Sequence, residues 1–219
     1  MTMHISPKIA LWSLAASTLL LGCPAGEQPP PEAPGPSAAA TSAETPRPDE
    51  ADQPSGTETE KEETMELTSQ AFAQNERMPR RYSGDGEDLS PPLTWSGVPE
   101  NAVELALICD DPDAPMAEPF VHWVAYGIDP VLGGLPEGVP AGKEVNDPVS
   151  IQQGETSFGK AGYGGPAPPR GHGVHHYHFK LYALSQPLNT GGGLSKQELL
   201  DAMEGKIIEQ TTLTGTYER

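Results

Sequence analysis

Residues 103–115 read Val-Glu-Leu-Ala-Leu-Ile-Cys-Asp-Asp-Pro-Asp-Ala-Pro, an apolar run that ends abruptly in carboxylates and prolines. Val103–Cys109 has the length of a buried strand and is too short for an ordinary helix. Two further runs resemble it, Val121–Ile128 and Tyr177–Leu184. Turn signals separate them: Ser83-Gly84-Asp85-Gly86, Pro91-Pro92, Asp129-Pro130, Gly133-Gly134 and the Gly/Pro stretch 162–173. Lys196 to Glu204 alone reads as a helix, opened by a Ser195/Glu198 capping box and closed by Gly205. Ile207 to Tyr217 alternates as a last strand. The sequence therefore predicts a mainly β domain of sandwich type with a few short helices. No 20–50-residue period repeats, which excludes a solenoid or propeller.

Outward from this core the composition changes sharply. The chain has 219 residues, a net charge of −18, 25 Pro, 24 Gly and 2 Cys. An acidic balance of this size argues against a nucleic-acid-binding surface. Two cysteines exclude a disulfide scaffold and a four-thiolate zinc site. Residues 1–23 read as a secretory signal, with Lys8 followed by the apolar stretch Ile9–Leu21. That stretch is too short to span a bilayer. It ends in Leu20-Leu21-Gly22-Cys23, which resembles a bacterial lipobox. The resemblance implies cleavage before Cys23, acylation of its thiol and anchoring in the cell envelope. A plain secretory signal with an incidental cysteine is the alternative. Residues 24–64 hold 9 Pro, 10 acids, 2 bases and no aromatic residue, so they read as a disordered linker. Residues 65–219 carry twelve of the 13 aromatics and a net charge of −11, and they form the folded domain. Cys109 reads as a buried free thiol rather than a catalytic one.

Three segments bring polar side chains to the ends of apolar strands. With period two, Leu105, Leu107, Cys109 and Asp111 share a face, and Asp110 points the other way. Pro112 and Pro115 stop that strand and hold the backbone around Asp113. Along residues 120–128, alternation places His122 with Phe120, Val124 and Tyr126. A lone imidazole on such a face is usually a satisfied structural residue. In the third segment a Gly/Pro loop runs into a strand on which His175, Tyr177, Phe179 and Leu181 share the apolar face. His176, His178 and Lys180 share the solvated one. Aspartates, histidines and a tyrosine at core rims suit one small pocket. The carboxylates would orient imidazole donors, and imidazole, phenol and backbone N–H groups would hold an anion such as phosphate or carboxylate.

These blocks carry a family resemblance. Asp111-Pro112-Asp113-Ala114-Pro115, His122-Trp123 and residues 168–177, Pro-Pro-Arg-Gly-His-Gly-Val-His-His-Tyr, resemble the signatures of the phosphatidylethanolamine-binding protein family. Its bacterial branch is called Raf kinase inhibitor-like. Residues 86–95, Asn146-Asp147, Phe158-Gly159-Lys160 and the terminal Gly215-Thr216-Tyr217-Glu218-Arg219 match in the same order. The resemblance implies an antiparallel β-sandwich with a preformed anion pocket that takes phosphate-like groups, including phospholipid head groups. Carried over by motif, the pocket residues are Asp111, Asp113, Pro115, His122, Pro169, His175 and Tyr177. Phe120 stands where some members have Trp, and His176 stands where Arg is usual.

The leading expectation is a membrane-anchored, non-enzymatic binding module with no cofactor and no bound metal. Two alternatives stay open. One is an enzyme, either a hydrolase using the Asp/His pocket or a metal-dependent one, for which His176 and His178 lie on one face. No nucleophile turn of the G-x-S-x-G kind supports it. The other is a regulator of an unidentified envelope protein, contacted through loops near Met116–Phe120 and Gly162–Gly173.

Overall fold

The computed structural model describes residues 64–219. The expected signal, Cys23 and all but the last residue of the expected linker lie outside the described residues. Nine strands, one α-helix and two 3-10 turns are formed among the described residues. The strands are β1 (Glu66–Thr68), β2 (Leu93–Ser96), β3 (Glu104–Asp111), β4 (Phe120–Ile128), β5 (Gly134–Leu135), β6 (Glu144–Val145), β7 (Ile151–Gln153), β8 (His175–Leu184) and β9 (Ile207–Tyr217). The helix α1 spans Lys196–Met203. A small sheet has the order β1-β2-β5, and a large one β6-β7-β4-β3-β8-β9. Every strand pair is antiparallel.

The unbroken apolar character of β3 follows from its position. It lies second to none in burial: all eight of its residues are buried. Leu105, Leu107 and Cys109 face an inner core shared with Leu67, Leu93, Trp95 and Leu135 of the small sheet. Ala106 and Ile108 face an outer core with Val124, Tyr126, Tyr182 and Leu184. Helix α1 covers this outer core with Leu199 and Met203, four residues apart on one helical face. Its capping box forms as the sequence predicts: Ser195 Oγ accepts from the Glu198 N–H, and Glu198 accepts from the Ser195 N–H. Asp110 points to the outer face, fully buried, and accepts from Lys180 Nζ at 3.0 Å and Lys196 Nζ at 2.6 Å. That pairing ties the first residue of α1 to β3 and β8. Cys109 is free and 1% exposed, and burial pushes its thiol up, so it stays protonated and inert.

One expected face is corrected. Alternation grouped His122 with Phe120, Val124 and Tyr126, and the structure divides that set. Cys109 pairs with Trp123 and Asp110 with Val121, so β4 spends an extra residue, His122, at that point. This is a β-bulge, and it puts two successive side chains on one side of the sheet. His122 and Trp123 both turn inward. Val124 and Tyr126 go to the outer core, while Phe120, opposite Asp111, keeps company with His122.

Next to the bulge, buried Gln153 satisfies three groups at once. It accepts from Trp123 Nε1 at 2.8 Å and donates to the Pro140 and Gly142 carbonyls at 2.8 and 2.9 Å. Gln153→Leu keeps the volume and strands all three partners, each unpaired buried group costing about 1–3 kcal/mol. We expect the unfolding midpoint in urea to fall by an amount equivalent to about 3 kcal/mol or more, with unchanged far-ultraviolet circular dichroism before the transition.

Candidate functional site

The C-terminal end of β3, the start of β4 and the start of β8 meet at a cavity of about 220 Å³. Its polar side chains are Asp111, His122, His175 and Tyr177, and its walls include Pro115, Met116, Phe120, Phe158 and Pro169. Antiparallel pairing explains the convergence. Asp111 ends β3, Phe120 opposite it begins β4, and Asp110 pairs with His178 of β8. The three rims thus fall at one edge of the inner core.

Asp111 is 3% exposed, and both of its carboxylate oxygens are engaged. Oδ1 accepts from the Asp113 N–H at 2.9 Å, and Oδ2 accepts from His175 Nδ1 at 2.7 Å. The carboxylate therefore fixes the imidazole: Nδ1 carries the proton, and the ring cannot turn without breaking a buried bond. The second nitrogen of His175 lies 2.8 Å from His172 Nδ1.

His122 is held by a reciprocal pair of bonds to Gly164. Its Nδ1 donates to the Gly164 carbonyl at 2.6 Å, and the Gly164 N–H donates back to the His122 carbonyl at 2.9 Å. Burial pushes the His122 pKa down, and the Gly164 carbonyl and the nearby Asp111 charge only partly offset this. A neutral ring with Nδ1–H presents a lone pair at Nε2. Three aromatic rings enclose it: Phe120 at 5.1 Å, Phe158 at 5.5 Å and Tyr177 at 5.0 Å between centroids. Gly164 is needed there because a Cβ would lie 2.4 Å from the Phe158 ring.

The Tyr177 hydroxyl is buried and makes no well-formed hydrogen bond, although the Asp111 carboxylate lies close enough to act on it. Burial first, and the Asp111 charge second, raise its pKa far above the usual phenol value. It therefore remains a donor at any physiological pH. An unpartnered buried hydroxyl in a cavity wall costs free energy unless something in the cavity completes it.

The pattern of the family described as phosphatidylethanolamine-binding protein matches residues 68–218. The chain belongs to the phosphatidylethanolamine-binding protein family. Among curated relatives, a UPF0098 protein of Pyrococcus horikoshii is 51% identical over 159 residues, covering 72% of this chain and 79% of the relative. Among solved structures, a phosphatidylethanolamine-binding protein homologue of Chlamydia trachomatis is 39% identical with a TM-score of 0.65, covering 72% of this chain and 99% of that one. YbcL of E. coli, described as a member of the mammalian family, is 31% identical with a TM-score of 0.65, covering 71% and 98%.

Of the seven residues that the family motifs indicate, the structure brings Asp111, Pro115, His122, Pro169, His175 and Tyr177 around the cavity. Asp113 lies beside it and turns away. Its Oδ2 accepts from both the His176 N–H at 2.8 Å and His176 Nδ1 at 2.7 Å, in an exposed pair. Partial desolvation raises the Asp113 pKa, and the two His176 bonds outweigh it and hold it below the ordinary carboxylate value. Asp113 thus ties the loop after β3 to β8 and supports Asp111 through its backbone N–H. His176 is committed to Asp113, and among the described residues no group of three or more His, Cys, Asp or Glu is arranged to hold a metal ion.

Two contributors were not singled out by sequence. Phe158 appears there only inside a matching block, because nothing local links a loop residue to His122, 36 positions away by chain. His172 appears only as a motif letter. Its place on His175 depends on the shape of the loop between Pro169 and β8.

Two expectations follow. Asp111→Ala removes a buried partner and leaves His175 and the Asp113 N–H unpaired, so it should destabilise by about 3 kcal/mol; Asp113→Ala, at an exposed pair, should cost under about 1 kcal/mol. Chemical denaturation of both variants checks the contrast. His122 adds a pH effect. Its folded pKa lies below the unfolded value of about 6.5, so the full stability is present above about pH 6.5 and is lost as pH falls through the folded pKa. His122→Phe has no proton to take up, and its urea midpoint should fall less than that of the wild type between about pH 7.5 and about pH 5.

Proposed function

We propose that the cavity binds a small oxyanion, a phosphate or phosphorylated head group in first place and a carboxylate in second, without chemical turnover. The single observation that carries this reading is the buried hydroxyl, without a well-formed hydrogen bond, of Tyr177, a residue that lines the same small space as His122 and His175. A net negative domain is an unusual place for an anion, and the local wiring answers this. Both Asp111 oxygens are occupied by protein donors, so the carboxylate orients donors rather than confronting a ligand. The apolar walls lower the local polarity and strengthen each remaining polar contact. Their volume suits one phosphoryl or carboxyl group with a short substituent rather than a polymer.

The family name of phosphatidylethanolamine-binding proteins supports a phosphorylated head group as ligand. The lipobox-like Leu20-Leu21-Gly22-Cys23 supports attachment of the module to a bacterial envelope membrane through acylated Cys23. Cells fed radiolabelled palmitate should label the wild-type chain, and Cys23→Ser should abolish the label; persistent labelling removes the anchor.

Calorimetry with inorganic phosphate and with phosphoethanolamine tests the binding reading. Tyr177→Phe should weaken binding roughly 3- to 10-fold, the size of one neutral hydrogen bond, and His122→Ala should weaken it at least as much. Proton bookkeeping offers a second check. Neutral His122 offers an acceptor, so a phosphate dianion bonds to its ring only with uptake of a proton by the ring or the ligand. Titrations in buffers of different ionisation enthalpy, above the ligand's second ionisation, should show net proton uptake. Unaltered binding in both variants rejects the site. Turnover of a phosphoester panel that is lost in His175→Ala rejects the non-enzymatic part.

A further inference from the structure

We propose that His172 is an internal competitor for the second ring nitrogen of His175, and that a ligand oxygen reaches that nitrogen by taking the place of the His172 ring. The inference rests on the anion reading above and deepens it by naming what the ligand must displace.

His175 has no free nitrogen. A carboxylate oxygen can only accept, so the Nδ1 proton is committed to Asp111 at 2.7 Å. Nε2 is committed to His172 Nδ1 at 2.8 Å, whichever ring carries the shared proton. The two rings stand 5.1 Å apart between centroids and tilted by 54°, and the His175 side chain is 1% exposed. A ligand in the cavity therefore meets the His175 ring but no unused donor or acceptor on it.

The two partners differ in how firmly they are held. His175 begins β8, pairs with Tyr217 of β9 and is locked from beneath by Asp111. His172 is exposed and rides on a Gly171-His172-Gly173 turn. Both glycines have positive φ, 75° and 88°, and a Cβ on either would meet nothing within 4 Å. The turn thus stands clear of packing. Its remaining ties are the His172 N–H to the Pro169 carbonyl at 3.1 Å and a long Gly171 N–H to Arg219 carbonyl contact at 3.4 Å. Swinging the ring out breaks one side-chain hydrogen bond, whereas moving His175 would break a strand and a buried bond to a carboxylate.

The exchange also sets selectivity. Once His175 Nε2 carries a proton, taken up from solvent or brought by the ligand, a phosphate oxygen replaces the imidazole with a stronger, charge-assisted bond. A neutral hydroxyl only replaces like with like, so it gains nothing over the closed state. His172 therefore raises the threshold for entry and favours anions over polar neutral molecules.

Calorimetric titration of the full chain with inorganic phosphate tests this. Removing the competitor in His172→Ala should tighten binding about 3- to 10-fold, the size of one exchanged hydrogen bond. In the wild type, the imidazole nitrogen resonances of His172 should shift on saturation with phosphate towards those of a ring without its partner. Binding that is unchanged or weaker in His172→Ala, or His172 resonances that stay put at saturation, overturns the proposal. If neither wild type nor His172→Ala takes up phosphate, the anion reading itself falls and this inference falls with it; that outcome differs from a wild type that binds and a variant that binds no better.

Discussion

A buried hydrogen bond between Asp111 Oδ2 and His175 Nδ1 joins the ends of two strands in the wall of the cavity. Such a pair is costly to place in an apolar core, since both groups give up water. The cost is offset only when each remaining lone pair and proton is satisfied. Here the other Asp111 oxygen takes the Asp113 N–H, and the other His175 nitrogen takes His172. The result is a directional network at the rim of an otherwise apolar core. It fixes where the His175 imidazole points, the kind of preorganisation that lowers the cost of binding wherever a site is to take a ligand.

The second constraint is geometric. A strand buried on both faces leaves no room for a mispaired neighbour, so the extra residue in β4 must be accommodated by a bulge rather than by a slip of the whole strand. That bulge turns His122 inward beside Trp123. Gly164 then clasps it through two backbone bonds, and Phe158 closes over both. Fold and site share one cause here, because the irregularity that keeps the register also delivers the imidazole. On the outer face of the same sheet, Asp110 between two lysines ties α1 to β3 and β8.

The chemistry of the cavity is complementary in a particular way. Tyr177 keeps its proton and so can donate at physiological pH, and neutral His122 accepts at Nε2. A partner carrying both an oxygen acceptor and a proton fits both. Apolar walls of proline, methionine and phenylalanine limit what else enters. In the loop above, His172 stands between two glycines of positive φ, whereas its partner His175 begins a strand.

Much of this was legible in the sequence by itself. Strand-length apolar runs, the Ser195/Glu198 cap, the proline stop after Asp111 and the face shared by His175, Tyr177 and Phe179 are all local properties, set by side-chain period and backbone sterics. The family blocks named the residues around the cavity as well. Only the tertiary structure decided three matters: that His122 faces inward without Val124 and Tyr126, that Asp113 serves His176 instead of the cavity, and that His172 sits on His175. The physical reason is common to them. A bulge is a mismatch between two strands, so alternation along one of them cannot reveal it. A hydrogen bond across 64 residues, such as Asp111 to His175, or one made by a glycine-flanked loop, depends on how distant segments come together.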